Sequence, residues 1–185
     1  MPRTLTNDEM VQLCKLGDPS GYAAVYHAYA KEVYNVIFRL MSNRSEAEEI
    51  VQDSFIAVFQ SLKREEPIEQ LPAWIKRIAT NKAIDFIRKK KVRFVELEDG
   101  NADLEKEEEK IDETVFEEQL EELRRAIDEL PQAYRIIVEL HVFENIPQSE
   151  IARMLGIESN TVNVQYYRAK QKILQAIKKT KRYET

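Results

Sequence analysis

Three sets of side chains in this sequence have the types and spacing for recognition chemistry. The first is near the C-terminus, where Asn163, Gln165, Tyr167, Arg168, Lys170 and Lys172 interleave with an apolar seam of Val162, Tyr166, Ala169, Ile173 and Ala176. Amides bond bidentately to adenine and guanidinium groups to guanine, so a helix with this polar side suits the major groove of duplex DNA. The second set is Arg77, Asn81, Asp85 and Arg88, spaced by four, four and three, followed by Lys89, Lys90, Lys91 and Arg93. That spacing is one helical stripe, and basic groups beside a polar loop suit a nucleic-acid backbone and an unstacked base. Cations at a helix C-terminus are also favoured by the helix dipole, so part of this cluster has a purely structural reading. The third set is Glu46, Glu49, Gln52 and Asp53, the outward side of an amphipathic helix. Alone it reads as a solvated acidic face.

Residues for bond-making chemistry are not arranged to perform it. The sequence has no glycine-rich phosphate loop, HExxH, CxxC or nucleophile elbow. Two histidines and one cysteine do not fall at metal-ligand spacing. His27 stands apart from other metal-binding residue types, and His141 lies within an apolar run and reads as a satisfied core group. The expectation is a protein without catalytic residues, metal site, cofactor or small-molecule substrate.

The elements that must position these residues are helices. Gln148 to Val162 reads as helix, tight turn, helix: Ile151, Ala152 and Leu155 give an apolar face, and Gly156 ends the first helix. Ser159 is a natural cap for a second helix beginning near Thr161. This is the pattern of a DNA-reading helix-turn-helix, and equally of an ordinary helical corner with a basic outer face. Upstream, Thr6–Gly17 is a short helix with Met10, Leu13, Cys14 and Leu16 as its apolar positions. Ser20–Met41 is a long one whose stripe runs Tyr22, Val25, Tyr26, Tyr29, Val33, Val36, Ile37 and Leu40. Ser45 with Glu48 fits a capping box opening a third helix, with Ala47, Val51, Phe55 and Val58 inward. Lys63–Pro72 is a loop, and Ala73–Lys91 a fourth helix burying Trp74, Ile75, Ile78, Ala79, Ala83, Phe86 and Ile87. Helical period resumes at Glu113 and is interrupted at Pro131, which falls in the first turn of the next helix.

The 185 residues are 43% hydrophobic with 4 glycines and 6 prolines, a globular composition too poor in turn formers for an all-β fold. No apolar run spans a bilayer, the N-terminus lacks a signal-peptide core, and the lone Cys14 excludes an internal disulfide, so a cytoplasmic protein is expected. The net charge of −5 disfavours nucleic acid until it is resolved by region. Glu96 to Glu122 holds fourteen carboxylates against two lysines, a local −12 that leaves +7 for the remainder. The fold class predicted is all-α: two small helical domains, residues 1–94 and 113–185, joined by a flexible acidic linker, residues 95–112.

Three stretches together resemble the bacterial sigma-70 family. Ala47-Glu48-Glu49-Ile50-Val51-Gln52-Asp53-Ser54-Phe55 is similar to region 2.2, and Leu71 through Asn81, with Asp85 and Arg88-Lys89, to region 2.4. Leu130-Pro131, Tyr134-Arg135, Glu150-Ile151-Ala152, Leu155-Gly156 and Thr161-Val162 are similar to region 4. The short chain, with a connector where larger members carry a folded region 3, resembles the extracytoplasmic-function (ECF) group. The resemblance implies a subunit that binds core RNA polymerase, through the β′ clamp and β flap, and directs promoter-specific initiation. It implies clamp docking by Glu48, Glu49, Gln52 and Asp53. It implies minus-ten recognition and melting by Lys76, Arg77, Asn81, Asp85, Arg88 and Lys89, with the Lys63–Leu71 loop holding a flipped base near Asn81. It implies minus-thirty-five reading by Ser159, Asn160, Thr161, Asn163, Val164, Tyr167 and Arg168. An anti-sigma factor as inhibitory partner is implied as well, and a path for the connector toward the polymerase active centre and RNA exit channel. Family members often carry Lys or Arg at the positions of Asn163 and Gln165. Amides there imply weaker phosphate attraction and more dependence on base contacts. The other reading is a stand-alone helix-turn-helix regulator with an N-terminal sensing or dimerising domain; it gives no reason for the pattern between Ala47 and Arg88.

Overall fold

A computed structural model of the chain describes residues 5–64, 68–90, 92, 94 and 116–183, with backbone only for 116–120 and 178–183. Among the described residues every regular element is helical. The chain forms two compact units, Met1–Lys91 and Val92–Thr185. The acidic connector, residues 95–112, and the helical period expected from Glu113 to Val115 lie outside the described residues.

The first unit is built from α1 (Asn7–Lys15), α2 (Pro19–Met41), α3 (Arg44–Leu62) and α4 (Leu71–Lys89). α1 opens with a capping box in which the Thr6 hydroxyl accepts from the Glu9 N–H and the Glu9 carboxylate accepts from the Thr6 N–H. It buries Met10 and Cys14, whose thiol is pushed up in pKa by burial, so it stays protonated. Leu16, expected in the apolar set, is 81% exposed, because the helix has already ended and the chain is turning at Gly17. Asp18 then caps α2 by accepting from the Ser20 N–H at 2.8 Å, with Pro19 in the first turn. That hydrogen bond lowers the Asp18 pKa.

α3 begins differently from the expected Ser45–Glu48 box. Ser42 closes α2 in the left-handed region (φ 53°), and Asn43 becomes the cap, accepting from the Glu46 N–H at 3.1 Å. Ser45 is thereby inside the helix, and Glu48 pairs instead with Arg44 at 2.8 Å. α2, α3 and α4 pack against one another, and α1 lies against α2 and α3. Val25, Val33, Ile37, Leu40, Ala47, Val58, Leu62, Ile75, Ala79, Ala83 and Ile87 fill the centre. α1 and α2 approach so closely that a Cβ on Gly21 would lie 2.6 Å from the Leu13 Cβ. The Tyr22 hydroxyl donates to the Cys14 carbonyl at 2.9 Å, and the Tyr29 hydroxyl to Asn7 Oδ1 at 2.6 Å, tying the same pair of helices.

The second unit contains α5 (Phe116–Asp128), α6 (Gln132–Val138) running into a π turn (Glu139–Phe143), α7 (Gln148–Leu155) and α8 (Ser159–Tyr183). Its core joins Ala126, Ile127 and Leu130 to Val138 and to Ala169 and Ile173 of α8. Pro131 stands at the N-cap of α6, one residue before the position expected for it. Arg135 is buried and donates to the Asp128 carbonyl at 3.0 Å, satisfying a carbonyl at the C-terminus of α5. Desolvation lowers its pKa, against the opposing pull of Asp128 and Glu139. His141 is held as a satisfied group: Nδ1 donates to the Ile146 carbonyl at 2.9 Å, and the ring meets Tyr166 edge-on at 4.9 Å. Gly156 ends α7 at φ 70°, and the Ala152 carbonyl accepts from the Ile157 N–H. α7 and α8 are thus the two helices of the helix-turn-helix expected from Gln148 to Val162, with α8 beginning at Ser159 itself.

Candidate nucleic-acid interface

α8 is divided lengthwise. Thr161, Val162, Gln165, Ala169 and Ile173 are buried against the rest of the unit, with Tyr166 packed beside them. Ser159, Asn160, Asn163 and Arg168 are exposed, and Val164 and Tyr167 are half-buried. The outer side therefore offers two amides, a phenol, a guanidinium and a small apolar group, which matches the donors and acceptors of a major groove and the thymine methyl. Two expected positions fall on the wrong side. Thr161 is 7% exposed and Gln165 only 1%. Gln165 lies between the buried Val162 and Ala169 at helical spacing, so its polar type misled a reading by residue type. Of the two amide substitutions noted in the sequence, only Asn163 faces outward.

α4 is divided in the same way. Leu71, Ile75, Ala79, Thr80, Ala83, Ile84 and Ile87 are buried, whereas Arg77, Asn81, Asp85, Arg88 and Lys89 are exposed. The four-four-three stripe is brought together as expected, and Arg88 lies 3.8 Å from Asp85 within it. Lys76 is off that stripe: it is half-buried and its ammonium is 3.4 Å from Glu32 of α2. Lys90, one residue past α4, is drawn 2.6 Å from Glu46 and so contributes little free charge to the basic cluster. Both pairings join distant segments, which local spacing does not reveal.

Beside the loop before α4 is a cavity of about 660 Å³. Its walls are Ile68, Glu69 and Gln70 of the loop, Leu71, Pro72, Ala73 and Lys76 of α4, Thr6 to Asp8 and Val11 of α1, and Glu32. Asn81 does not line it, so the loop cavity and the Asn81 stripe are separate features. On α3, Glu48, Glu49, Gln52 and Asp53 are all exposed, as the docking expectation requires, although Glu48 is already engaged by Arg44.

Comparison with known proteins decides what these faces belong to. The model of Sigma-70 region 2 matches residues 25–93, and that of Sigma-70 region 4 matches residues 120–173. RNA polymerase sigma factor SigV of Bacillus subtilis is 32% identical over 142 residues, covering 76% of this chain and 81% of that protein. The chain belongs to the RNA polymerase sigma factor family. ECF RNA polymerase sigma factor RpoE of Cereibacter sphaeroides is likewise 32% identical, over 78% of this chain and 80% of that protein. ECF RNA polymerase sigma factor SigE of Mycolicibacterium smegmatis is 29% identical, and there the chain spans 57% of the relative's length.

As an ECF sigma factor, the chain binds core RNA polymerase and directs promoter-specific transcription initiation. The stand-alone regulator falls away, because the region 2 match covers the stretch that reading left unexplained. Sigma factors are non-enzymatic initiation factors, in keeping with a sequence organised around recognition. Among the described residues no three His, Cys, Asp or Glu side chains gather to hold a metal ion, and no helix is long and apolar enough to cross a membrane.

Proposed function

We propose that this sigma factor contacts its promoter at two places through two separately built helix faces. Residues 1–94 form the region 2 domain, whose exposed α4 stripe of Arg77, Asn81, Asp85, Arg88 and Lys89 engages the minus-ten element and holds its strands apart. Residues 113–185 form the region 4 domain, whose α8 reads the minus-thirty-five element with Asn160, Asn163, Val164, Tyr167 and Arg168. Residues 95–112 connect them. The exposed side of α3 docks on the clamp through Glu49, Gln52 and Asp53. Lys76, Ser159 and Thr161 support these faces, Lys76 through its pairing with Glu32 and Thr161 through burial at the start of α8. No residue acts as a catalyst, no cofactor is needed, and the chain works in the cytoplasm with the polymerase, under an anti-sigma factor.

The observation that carries this reading is the lengthwise division of α4 and α8. Each buries one apolar side in its own unit and leaves a continuous polar side open. A recognition helix needs both: rigid packing to fix its angle, and unpaired donors and acceptors for the groove. Run-off transcription with core polymerase on a randomised promoter library tests it. Productive templates should share two separate elements. Asn81→Ala should relax selection only in the downstream element and Asn163→Ala only in the upstream one. Loss of selection in the same element by both variants would overturn the division of labour.

A further inference from the structure

The exposed side of α3 that carries Glu49, Gln52 and Asp53 continues one turn on into Ile56, which is 54% exposed. Single exposed aliphatic residues are ordinary on protein surfaces. Ile56 is not single. Tyr26 on α2, 43% exposed, stands edge-on to Phe55 at 4.9 Å, and Phe55 meets Phe59 at 5.8 Å. Phe59 is half-buried and lies three residues beyond Ile56, on the same side of α3. Tyr26 and Phe59 therefore pack on either side of the buried Phe55, and with Ile56 they leave partly open apolar groups on both helices at the seam between α2 and α3, with two carboxylates and an amide along one margin.

The state of those carboxylates separates this patch from the rest of α3. Glu46 is engaged by Lys90 and Glu48 by Arg44. Among the described residues Glu49 and Asp53 have no ion pair. Aliphatic and aromatic surface left open, bordered along one margin by uncommitted carboxylates and at the far end by Lys63, which lies 5.8 Å over the Tyr22 ring beside Phe59, has the composition of an interface centre with a polar rim. The acidic margin selects the partner: a helix or hairpin presenting an apolar ridge with lysine or arginine on the side that meets Glu49 and Asp53.

We propose that Tyr26, Ile56 and Phe59 are the apolar centre of the polymerase-docking surface, and that Glu49, Gln52 and Asp53 are its polar rim. This rests on α3 being the clamp-docking helix, and it divides the work on that face. The apolar centre supplies affinity that persists in salt, whereas the carboxylates steer encounter and fix orientation. Ile56 therefore matters more to holoenzyme lifetime than any one of the charged groups expected at this face.

The test is binding of the full chain to core RNA polymerase at low and high salt, with circular dichroism confirming folding of each variant. Ile56→Ala removes an exposed side chain and leaves the core untouched, and Ile56→Gln keeps its size. Both should weaken binding about tenfold, the loss expected at an interface centre, by the same factor at both salt concentrations. Asp53→Asn should weaken it less, with a loss that shrinks as salt rises. Unchanged affinity in the Ile56 variants with weakened Asp53→Asn would overturn the apolar centre and leave the α3 reading standing. Unchanged affinity in all three would overturn the α3 reading itself. Wild-type self-association that Ile56→Ala abolishes, at unchanged core affinity, would assign the patch to a second copy of the chain and also overturn the proposal.

Discussion

α4 and α8 share an architecture and differ in the chemistry of the open side. On α4 that side carries Arg77, Arg88 and Lys89, with Asp85 set 3.8 Å from Arg88. On α8 it carries Asn160, Asn163 and Tyr167, with Arg168 as the cation among the positions expected to read DNA. Fixed charge acts on phosphates over a Debye length, roughly 8 Å at physiological salt, and fades as salt rises. Amides and a phenol act only within hydrogen-bonding reach and discriminate between base edges. Two helices with the same burial pattern are thereby suited to different parts of promoter engagement: one to grip strands as they separate, the other to read a closed duplex.

That contrast depends on which side chains face out, and Gln165 is the position where it can be broken hardest. Gln165 and Asn163 are two residues apart, yet one is 1% exposed and the other open to solvent. Gln165→Lys would place an ammonium among Val162, Ala169 and Ile173. We expect a loss on the order of 3 kcal/mol in the stability of this unit, and no gain in DNA affinity. Urea denaturation followed by circular dichroism measures it. Unchanged stability would mean that Gln165 turns outward and that α8 presents a third amide.

Gly21 and Gly156 are needed for different reasons, whereas Gly17, at φ 76° in open space, is of the same kind as Gly156. Gly21 is needed for space: a Cβ would meet the Leu13 Cβ at 2.6 Å and the Cys14 nitrogen at 2.8 Å, both anchored in α1. Gly156 is needed for conformation: it sits at φ 70° with nothing within 4 Å of a Cβ. Gly21→Ala should cost about 2 kcal/mol by forcing α1 off α2. Gly156→Ala should cost about 1 kcal/mol through backbone strain alone, and Gly156→Asn should recover part of it, since asparagine tolerates that region. The same denaturation experiment ranks the three variants, and equal losses for both alanine substitutions would erase the distinction.

The features legible in the sequence were those written in local periodicity. Helix identity followed from apolar spacing, and the α4 stripe from a four-four-three run of polar residues in an apolar helix. The turn at Gly156 followed from the one residue type that adopts its conformation cheaply. What was not legible depended on distant partners or on competition between neighbours. Glu32 lies 44 positions from Lys76, and no local spacing reveals that their ion pair engages a residue which register already sets beside the stripe. Asn43 outcompetes Ser45 as the cap of α3 because α2 ends in the residue just before it. Gln165 and Thr161 are polar by type yet buried by register. Arg135 and Glu139 are charged residues in the run 135–140, where Ile136, Ile137 and Leu140 are fully buried, and tertiary packing overrides their preference for water. The π turn at Glu139–Phe143 carries no local signature, since it adds a single residue to an otherwise helical register.

The smallest effect expected is also the most direct test of the difference between the two faces. Asn163 is the outward one of the two amides that stand where the sequence resemblance implies a cation. Asn163→Arg should leave stability unchanged, because the side chain is in solvent. It should steepen the dependence of log affinity on log salt by about 0.9, the increment for one added phosphate contact in duplex DNA. Arg168→Ala should flatten the slope by a similar amount. Binding of the full chain to a minus-thirty-five duplex over a salt series reads both. The affinity gained by Asn163→Arg at low salt should come with weaker discrimination against base changes, since an amide that can read an adenine edge has been exchanged for a guanidinium held on a phosphate. A slope that stays fixed in Asn163→Arg would mean that residue 163 lies over base edges and away from any phosphate. Amide substitution at that position would then concern sequence preference alone, and the electrostatic contrast between α4 and α8 would rest on Arg168.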